Sequence, residues 1–304
     1  MERYSAMTIG NFDGVHLGHR ALVEAARAAT SGEAVVALAL DPHPATVLRP
    51  GAEPPRLSTR RSRETALLEA GCDEVRFIEP TPAFLSQTPD EFIDWIVGEF
   101  RPRWILEGAD FRFGRDREGD LDLLRDRGAA HGFEVIVVPE VNLRIGGVDV
   151  AIHSGEIRRR LQAGDVSAAA SMLGRRYVLT GTVVSGDRRG RELGIPTANL
   201  DHGELLLPAD GIYAGTANDP EGRVHRAAIS VGTKPTFEET PRVCEVHLVD
   251  HAGPVDEYGW SLAVEFQHRL REQIAYDGIE PLLEQLKHDL DETRRRVELP
   301  SRGE

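Results

Sequence analysis

Apolar positions follow two different rhythms along the chain. From Ala6 to about Val141, short apolar or β-branched runs (Ala34–Leu40, Glu74–Ile78, Arg103–Leu106, Glu134–Val138) alternate with stretches whose apolar residues recur at helical spacing. This alternation predicts a parallel sheet, with right-handed crossovers and helices on both faces. Helix ends are marked as well. Thr88, followed by Pro89 and then Glu91, forms a capping box ahead of Phe92–Phe100, and Gly71 closes Ala66–Ala70. Ligands of such sheets gather beyond the carboxyl ends of the strands, so the loops after Ile9, Leu40 and Leu106 are the places to look for chemistry.

After a helical segment over about Glu156–Leu173 the strands crowd together: Tyr177–Val184, Gly211–Thr216, Arg226–Val231, Cys244–Val249 and Leu262–Phe266. Such spacing predicts an antiparallel barrel. A terminal helix begins near Ile279, with Ile279, Leu282, Leu283, Leu286 and Leu290 at helical spacing, and Arg294–Arg296 form a solvated end that suits the helix dipole. The expected architecture is α/β plus β. A Rossmann-like parallel sheet occupies residues 1–173, and an antiparallel β-barrel ending in a helix occupies 174–304.

Composition narrows the class. The 304 residues, 40% hydrophobic and 28% charged, suffice for two globular domains. The longest apolar run, Ala34–Leu40, falls far short of the roughly 20 residues of a membrane span, and Met1–Gly10 holds no signal-peptide core. A cytoplasmic protein with no membrane partner is expected. Cys72 and Cys244 stand at no zinc or redox spacing and are read as buried apolar side chains. The net charge of −14 repels phosphate backbones, so nucleic acid is not an expected partner and any anionic substrate must be gripped locally by arginine. The lysines are Lys234 and Lys287, neither in a Gly-Lys-Ser/Thr context, which excludes a Walker-type P-loop. Oligomeric state is left open.

Two stretches carry candidate chemistry. Gly10-Asn11-Phe12-Asp13-Gly14-Val15-His16-Leu17-Gly18-His19 follows the first strand and opens a helix, Arg20–Ala29. Exposed N–H groups and the dipole favour phosphate there, and two imidazoles three residues apart suit a pentacoordinate phosphorus; a polar turn and a metal pair are the other readings. The second stretch, Gly181 to Leu200, carries Gly186, Arg189, Gly190, Arg191, Gly194, Pro196, Thr197 and Asn199. Its glycines allow N–H groups to face phosphate, its arginines add charge, and the Thr197 hydroxyl with the Asn199 amide oxygen suits Mg²⁺; otherwise it is a basic hairpin turn. Farther on, alternation in Cys244-Glu245-Val246-His247-Leu248 sends Glu245 to the face opposite Cys244, Val246 and Leu248, as a solvent-facing acid or a general base.

His16-Leu17-Gly18-His19 after a strand resembles the HxGH signature of nucleotidylyltransferases. The longer string from Gly10 is similar to the adenylyltransferase module of the bacterial bifunctional riboflavin kinase/FMN adenylyltransferases, or FAD synthetases. Asp41-Pro42-His43-Pro44 and Gly108-Ala109-Asp110-Phe111-Arg112-Phe113-Gly114 resemble that module too. The Gly186–Asn199 stretch, Gly232-Thr233-Lys234-Pro235-Thr236-Phe237, the Glu245 string and the terminal helix resemble the riboflavin kinase module.

The resemblance implies that riboflavin is phosphorylated by ATP to FMN, and FMN adenylylated by ATP to FAD with release of pyrophosphate. It implies Glu245 as kinase base, Thr197 and Asn199 on Mg²⁺, and Gly186, Arg189, Gly190, Arg191, Gly194 and Pro196 binding ATP or flavin. His16 and His19 would stabilise charge in adenylylation, with Gly10, Asn11, Phe12, Asp13, Gly14, His43, Gly108, Asp110, Phe111, Ser154 and Arg158 binding ATP or FMN. Two departures stand out. Gly155 occupies a threonine position in Ile152-His153-Ser154-Gly155-Glu156-Ile157-Arg158, and a lost hydroxyl contact to phosphate costs on the order of 1–3 kcal/mol, or tens of fold in rate. Trp260 follows Tyr258-Gly259 where a lysine is expected. The competing readings are a riboflavin kinase with an impaired adenylyltransferase domain, a non-catalytic flavin carrier, and a nucleotidylyltransferase with another acceptor.

Overall fold

Five short strands, β1 (Ala6–Gly10), β2 (Val35–Leu40), β3 (Glu74–Ile78), β4 (Trp104–Gly108) and β5 (Glu134–Val138), form a parallel sheet in the order β3-β2-β1-β4-β5. They belong to a computed structural model of the protein that describes residues 5–186, 189–233, 242–251 and 257–299, without the side chains of Arg189 and Glu192. Asp187, Arg188 and the Lys234-Pro235-Thr236-Phe237 string lie outside the described residues. Along each strand alternate residues enter opposite cores: Met7, Ile9, Val36 and Leu38 pack with Phe92, Ile93 and Ile96, while Ala6, Val35 and Ala37 pack with Val23 and Leu67. The helices are α1 (Leu17–Ala29), α2 (Ala45–Leu48), α3 (Arg60–Ala70), α4 (Pro82–Leu85), α5 (Pro89–Phe100) and α6 (Leu121–His131). The Thr88/Glu91 capping box opens α5, and Gly71, at φ +116°, closes α3.

Strand order reverses between β1 and β4, and their pairing stops after Met7↔Ile105, so the carboxyl ends splay into a crevice. After β5 comes a hairpin that the alternation does not announce, β6 (Asn142–Ile145) and β7 (Val148–Ala151), turned by Gly146-Gly147 at positive φ. The chain divides into two compact units, residues 1–154 and 155–304.

Two helices, α7 (Ser154–Gln162) and α8 (Val166–Leu173), stand where one segment was expected. The break lies at Gly164, with φ +77°, and at Asp165, which caps α8 by accepting the Ala168 N–H at 3.0 Å. In the second unit β8 (Tyr177–Val184), β9 (Ala198–Asp201), β10 (Gly211–Asn218), β11 (Val224–Gly232), β12 (Val243–Leu248) and β13 (Ser261–Arg271) close an antiparallel barrel in the order β10-β11-β12-β9-β8-β13. Its filling includes Tyr177, Leu179, Tyr213, Ile229, Val231, Cys244, Val246, Val264 and Phe266. Between β8 and β9 lies one helical turn, α9 (Arg189–Glu192). The expected five-strand pattern omits β9, whose four residues include Asn199. Both cysteines are buried, and burial pushes each thiol up to about 12.

The last helix, α10 (Ile279–Arg296), packs on β10, β11 and β13. Its leucines are only half-buried, whereas Asp289 and Thr293 are the fully buried residues. Arg271 is the reason. Its guanidinium donates to Asp289 at 2.6 and 3.0 Å, so the helix is seated by an ion pair as well as by its apolar stripe.

Candidate active sites

In the parallel-sheet unit the chain leaves β1 at Gly10 and turns through residues 11–16 into α1. Phe12 and Val15 take φ of +49° and +41°, costly for side chains of this size and sustained only by fixed surroundings. His16 is the N-cap: its Nδ1 accepts the His19 N–H at 3.4 Å, which leaves Nε2 to carry hydrogen in the neutral ring. The two imidazoles stack at 3.6 Å between centroids, and Phe12 packs edge-on against His19. Above the positive end of α1, paired N–H donors are suited to negative charge that develops in a transition state.

Other side chains tie this loop to its neighbours. The Asp13 carboxylate accepts the N–H groups of Leu57 and Ser58 and the Ser58 hydroxyl at 2.8–3.1 Å, and the Ser58 oxygen accepts the Gly14 N–H at 2.8 Å. Ser154 donates its hydroxyl to the Asp13 carbonyl at 2.8 Å, and Arg158 lies one turn on along α7. His43 accepts the Ala45 N–H at Nδ1 and sets Nε2 3.2 Å from the Asn11 amide. Arg63, 4% exposed, donates to the carbonyls of Asn11 (2.7 Å) and Leu40 (3.0 Å) and to the Asp41 carboxylate, joining the ends of β1 and β2. Glu107 fills the gap where β1 and β4 part, accepting the Ile9 N–H at 2.6 Å. Burial pushes its carboxyl well above the usual range; the Ile9 hydrogen bond opposes that rise and the charge of Asp110 adds to it. Gly108 ends β4, and its carbonyl accepts the Phe111 N–H at 3.1 Å, in a turn that carries Asp110.

The barrel site rests on backbone register. Asn199 on β9 lies directly opposite Glu245 on β12, and Glu245 lies directly opposite Ser230 on β11. Cys244 and Val246 are buried inside, which puts half-buried Glu245 on the outer face. A side chain at Gly186 would start 2.0 Å from the Asn199 amide nitrogen, so only glycine lets the loop lie on Asn199. At Gly190 it would start 2.4 Å from the Ile195 carbonyl oxygen and 3.4 Å from Thr197 Oγ1. Gly194 turns the loop at φ +74°, and the Pro196 carbonyl accepts the Nδ1–H of His247 at 2.8 Å.

A cleft of about 530 Å³ is lined by Gly186, Arg191, Pro196, Thr197 and Asn199, and also by Asp219, His251 and Trp260. Tyr258-Gly259-Trp260 is drawn into this wall by two 2.8 Å backbone hydrogen bonds between Val183 and the Gly259 N–H and Trp260 carbonyl, but nothing in the structure explains Trp260 in place of a lysine. Asp219 stays at about 2 against its desolvation, because His225 and Arg223 donate to it. Among the described residues no group of three or more His, Cys, Asp or Glu is placed to hold a metal ion. The Thr197 hydroxyl and the Asn199 amide oxygen are hard donors of the type that suits Mg²⁺.

Profiles of two protein families match the chain, FAD synthetase over residues 1–150 and riboflavin kinase over 173–297. The bifunctional riboflavin kinase/FMN adenylyltransferase of Escherichia coli (strain K12) is 32% identical over 286 residues, covering 93% of this chain and 90% of the relative. The chain belongs to the bifunctional riboflavin kinase/FMN adenylyltransferase family. Members from Bacillus subtilis (strain 168) and Pseudomonas fluorescens are 33% and 34% identical, covering 96% and 94% of this chain and 92% and 91% of theirs. A crystal structure described as a macrolide-efflux protein from Streptococcus pneumoniae has TM-score 0.85 at 29% identity, covering 97% of this chain and 95% of that one. In this chain no helix among the described residues is long and apolar enough to cross a membrane.

Within this family frame, sequence reading missed Arg63, Ser58 and Glu107 around the first site and Asp219, His225 and His251 around the second. Arg63 meets partners 22 to 52 positions away, which no local spacing encodes. The one available signal for Glu107 was an acid inside an otherwise apolar strand, Trp104-Ile105-Leu106-Glu107.

Proposed function

We propose that the chain makes FMN and then FAD, with the barrel phosphorylating riboflavin and the parallel-sheet unit adenylylating FMN, each with ATP. The observation that carries this reading is that each unit holds its own phosphate-handling constellation: stacked His16 and His19 at a helix N-terminus in one, and Thr197, Asn199 and Glu245 beside a glycine loop in the other. The functional boundary is placed between 173 and 174, supported by profile matches that end at 150 and begin again at 173.

In the kinase reaction Glu245 takes the proton of riboflavin's primary hydroxyl as its oxygen attacks the γ-phosphorus and ADP leaves. The Thr197 hydroxyl and Asn199 amide oxygen would hold Mg²⁺, which when bound neutralises phosphate charge. The Gly186–Gly194 loop with Arg191 cradles the phosphates. In the second reaction an FMN phosphate oxygen attacks the α-phosphorus of ATP and pyrophosphate leaves, while His16 and His19 donate to the charge that develops. Asn11, His43, Gly108, Asp110 and Phe111 surround the nucleotides; Asp13 shapes the loop. Ser154 and Arg158 are assigned to the phosphates by the family resemblance, and Gly155 supplies no hydroxyl beside them.

The second reading, a kinase with an impaired adenylyltransferase, is favoured only by Gly155. Chromatography of protein incubated with riboflavin, ATP and Mg²⁺, with an added-FMN control, separates the two. FMN followed by FAD is expected; FMN alone, with no FAD from added FMN, supports the second reading, and neither product overturns both.

A further inference from the structure

The row formed by Asn199 and Glu245 continues one strand further, to Ser230 on β11. Directly opposite residues of an antiparallel pair share a face, with Cβ atoms about 4.5–5.5 Å apart. Ile229 and Val231 point into the barrel and are fully buried, so half-buried Ser230 stands outside, beside Glu245. The proposed chemistry accounts for Asn199 and Glu245 but gives Ser230 no task.

Two further features converge on that serine. Gln273, two residues beyond β13, donates its amide Nε2–H to Ser230 Oγ at 3.3 Å. That amide occupies the space over Gly232, where a side chain would start 2.2 Å from Gln273 Oε1 and 2.4 Å from Nε2. Ser230 and Gly232 lie two apart on one strand and hence on the same face, so the missing Cβ at 232 is what lets the glutamine reach the serine. A hydroxyl that accepts from Gln273 keeps its own hydrogen for another acceptor, and the carboxylate next in the row is that of Glu245.

We propose that Ser230 is a positioning residue of the kinase site: Gln273 holds Ser230, and the Ser230 hydroxyl donates to the Glu245 carboxylate and orients it toward the substrate hydroxyl. The inference rests on Glu245 being the base. A hydrogen bond to a base changes how often the carboxylate is correctly aimed, without touching riboflavin or ATP, so its loss lowers kcat and leaves KM alone.

The test is steady-state FMN formation by the full-length chain carrying Ser230→Ala, Gln273→Ala, both, Ser230→Thr or Gly232→Ala, with Glu245→Gln alongside. Ser230→Ala is expected to lower kcat about tenfold with both KM values within about twofold, since it removes one hydrogen bond to a charged group. Gln273→Ala and Gly232→Ala should each give a smaller loss, about threefold, and the double variant should be no worse than Ser230→Ala, because the two residues act through one chain. Ser230→Thr, which keeps the hydroxyl and suits a strand, should restore most of the rate. FAD formation from added FMN and the thermal midpoint report that each variant is folded. An unchanged kcat in Ser230→Ala overturns the inference, as does a raised riboflavin KM at constant kcat, which would make Ser230 a substrate contact, or full additivity with Gln273→Ala. If Glu245→Gln still forms FMN at the normal rate, the base assignment itself fails; if Glu245→Gln is inactive while Ser230→Ala is normal, only the positioning role falls.

Discussion

In the parallel-sheet unit, the loops around the crevice are held to one another by side chains. Arg63 binds the ends of β1 and β2, Asp13 binds the Leu57-Ser58 segment, and Ser154 binds the carbonyl of Asp13. In the barrel unit Asn199, Glu245 and Ser230 sit on three adjacent strands, and backbone ladders set their spacing. The first site depends on buried polar groups such as Arg63 and Asp13 that each meet three partners, so removing one disturbs fold and chemistry together. The second depends on register, so a side chain can be removed while its strand stays where it is.

The largest effect should come from Glu245. Glu245→Gln is expected to slow FMN formation by about 10²–10⁴, the usual worth of a general base, with the thermal midpoint of the barrel unchanged. Rapid-quench measurement of FMN together with calorimetry checks both halves. A large fall in midpoint would mean that the barrel site carries structural duties like those of the first site, and the contrast would fail.

Arg63→Ala sharpens the comparison from the other side. It takes the nearest cation from the Asp41 carboxylate, which keeps Arg56 at 3.7 Å and Arg60 at 3.9 Å, and leaves the Asn11 and Leu40 carbonyls without their donor, a loss of about 2–4 kcal/mol. Denaturant unfolding should show that loss in the parallel-sheet unit, with FAD formation falling and riboflavin phosphorylation preserved. Equal loss of both activities would break the separation between the units.

These two residues also mark what a sequence can disclose. The alternation that separates Glu245 from Cys244 and Val246 is local, as are the Thr88/Glu91 cap, the Gly71 terminus and the runs that become β1 to β5, so all were legible. The Gly146-Gly147 turn was equally visible, but its flanking strands have only four residues each, too few for alternation to stand out. β9 was hidden for a related reason: Pro196-Thr197-Ala198-Asn199 has the composition of a loop, and only pairing with β8 and β12 makes part of it a strand. The partners of Arg63 and the row through Ser230 depend on which strands become neighbours, and periodicity does not contain that information.

The smallest predicted effect concerns pH, where one buried carboxyl in each unit should respond with opposite sign. Asp219, in the barrel unit, lies at about 2 rather than 3.8, because hydrogen bonds from His225 and Arg223 outweigh its desolvation. Its contribution is complete above about pH 4 and is lost as the pH falls toward 2, about 2 kcal/mol in all. Glu107, in the other unit, is raised by burial, so it favours folding in its neutral form; that contribution is present below its ordinary 4.5 and is lost as the pH rises through the raised value. Urea titrations across pH should show Asp219→Asn flattening the acid side of barrel stability and Glu107→Gln flattening the alkaline side for the parallel sheet. Other depressed carboxyls such as Glu156 cancel in the difference between wild type and variant, so an Asp219→Asn curve parallel to wild type between pH 5 and 2 would refute its share. If Glu107→Gln changed the acid side instead, the buried carboxyl would be ionised in the folded chain, and the hydrogen bond to Ile9 would have to be reassigned as a charged one.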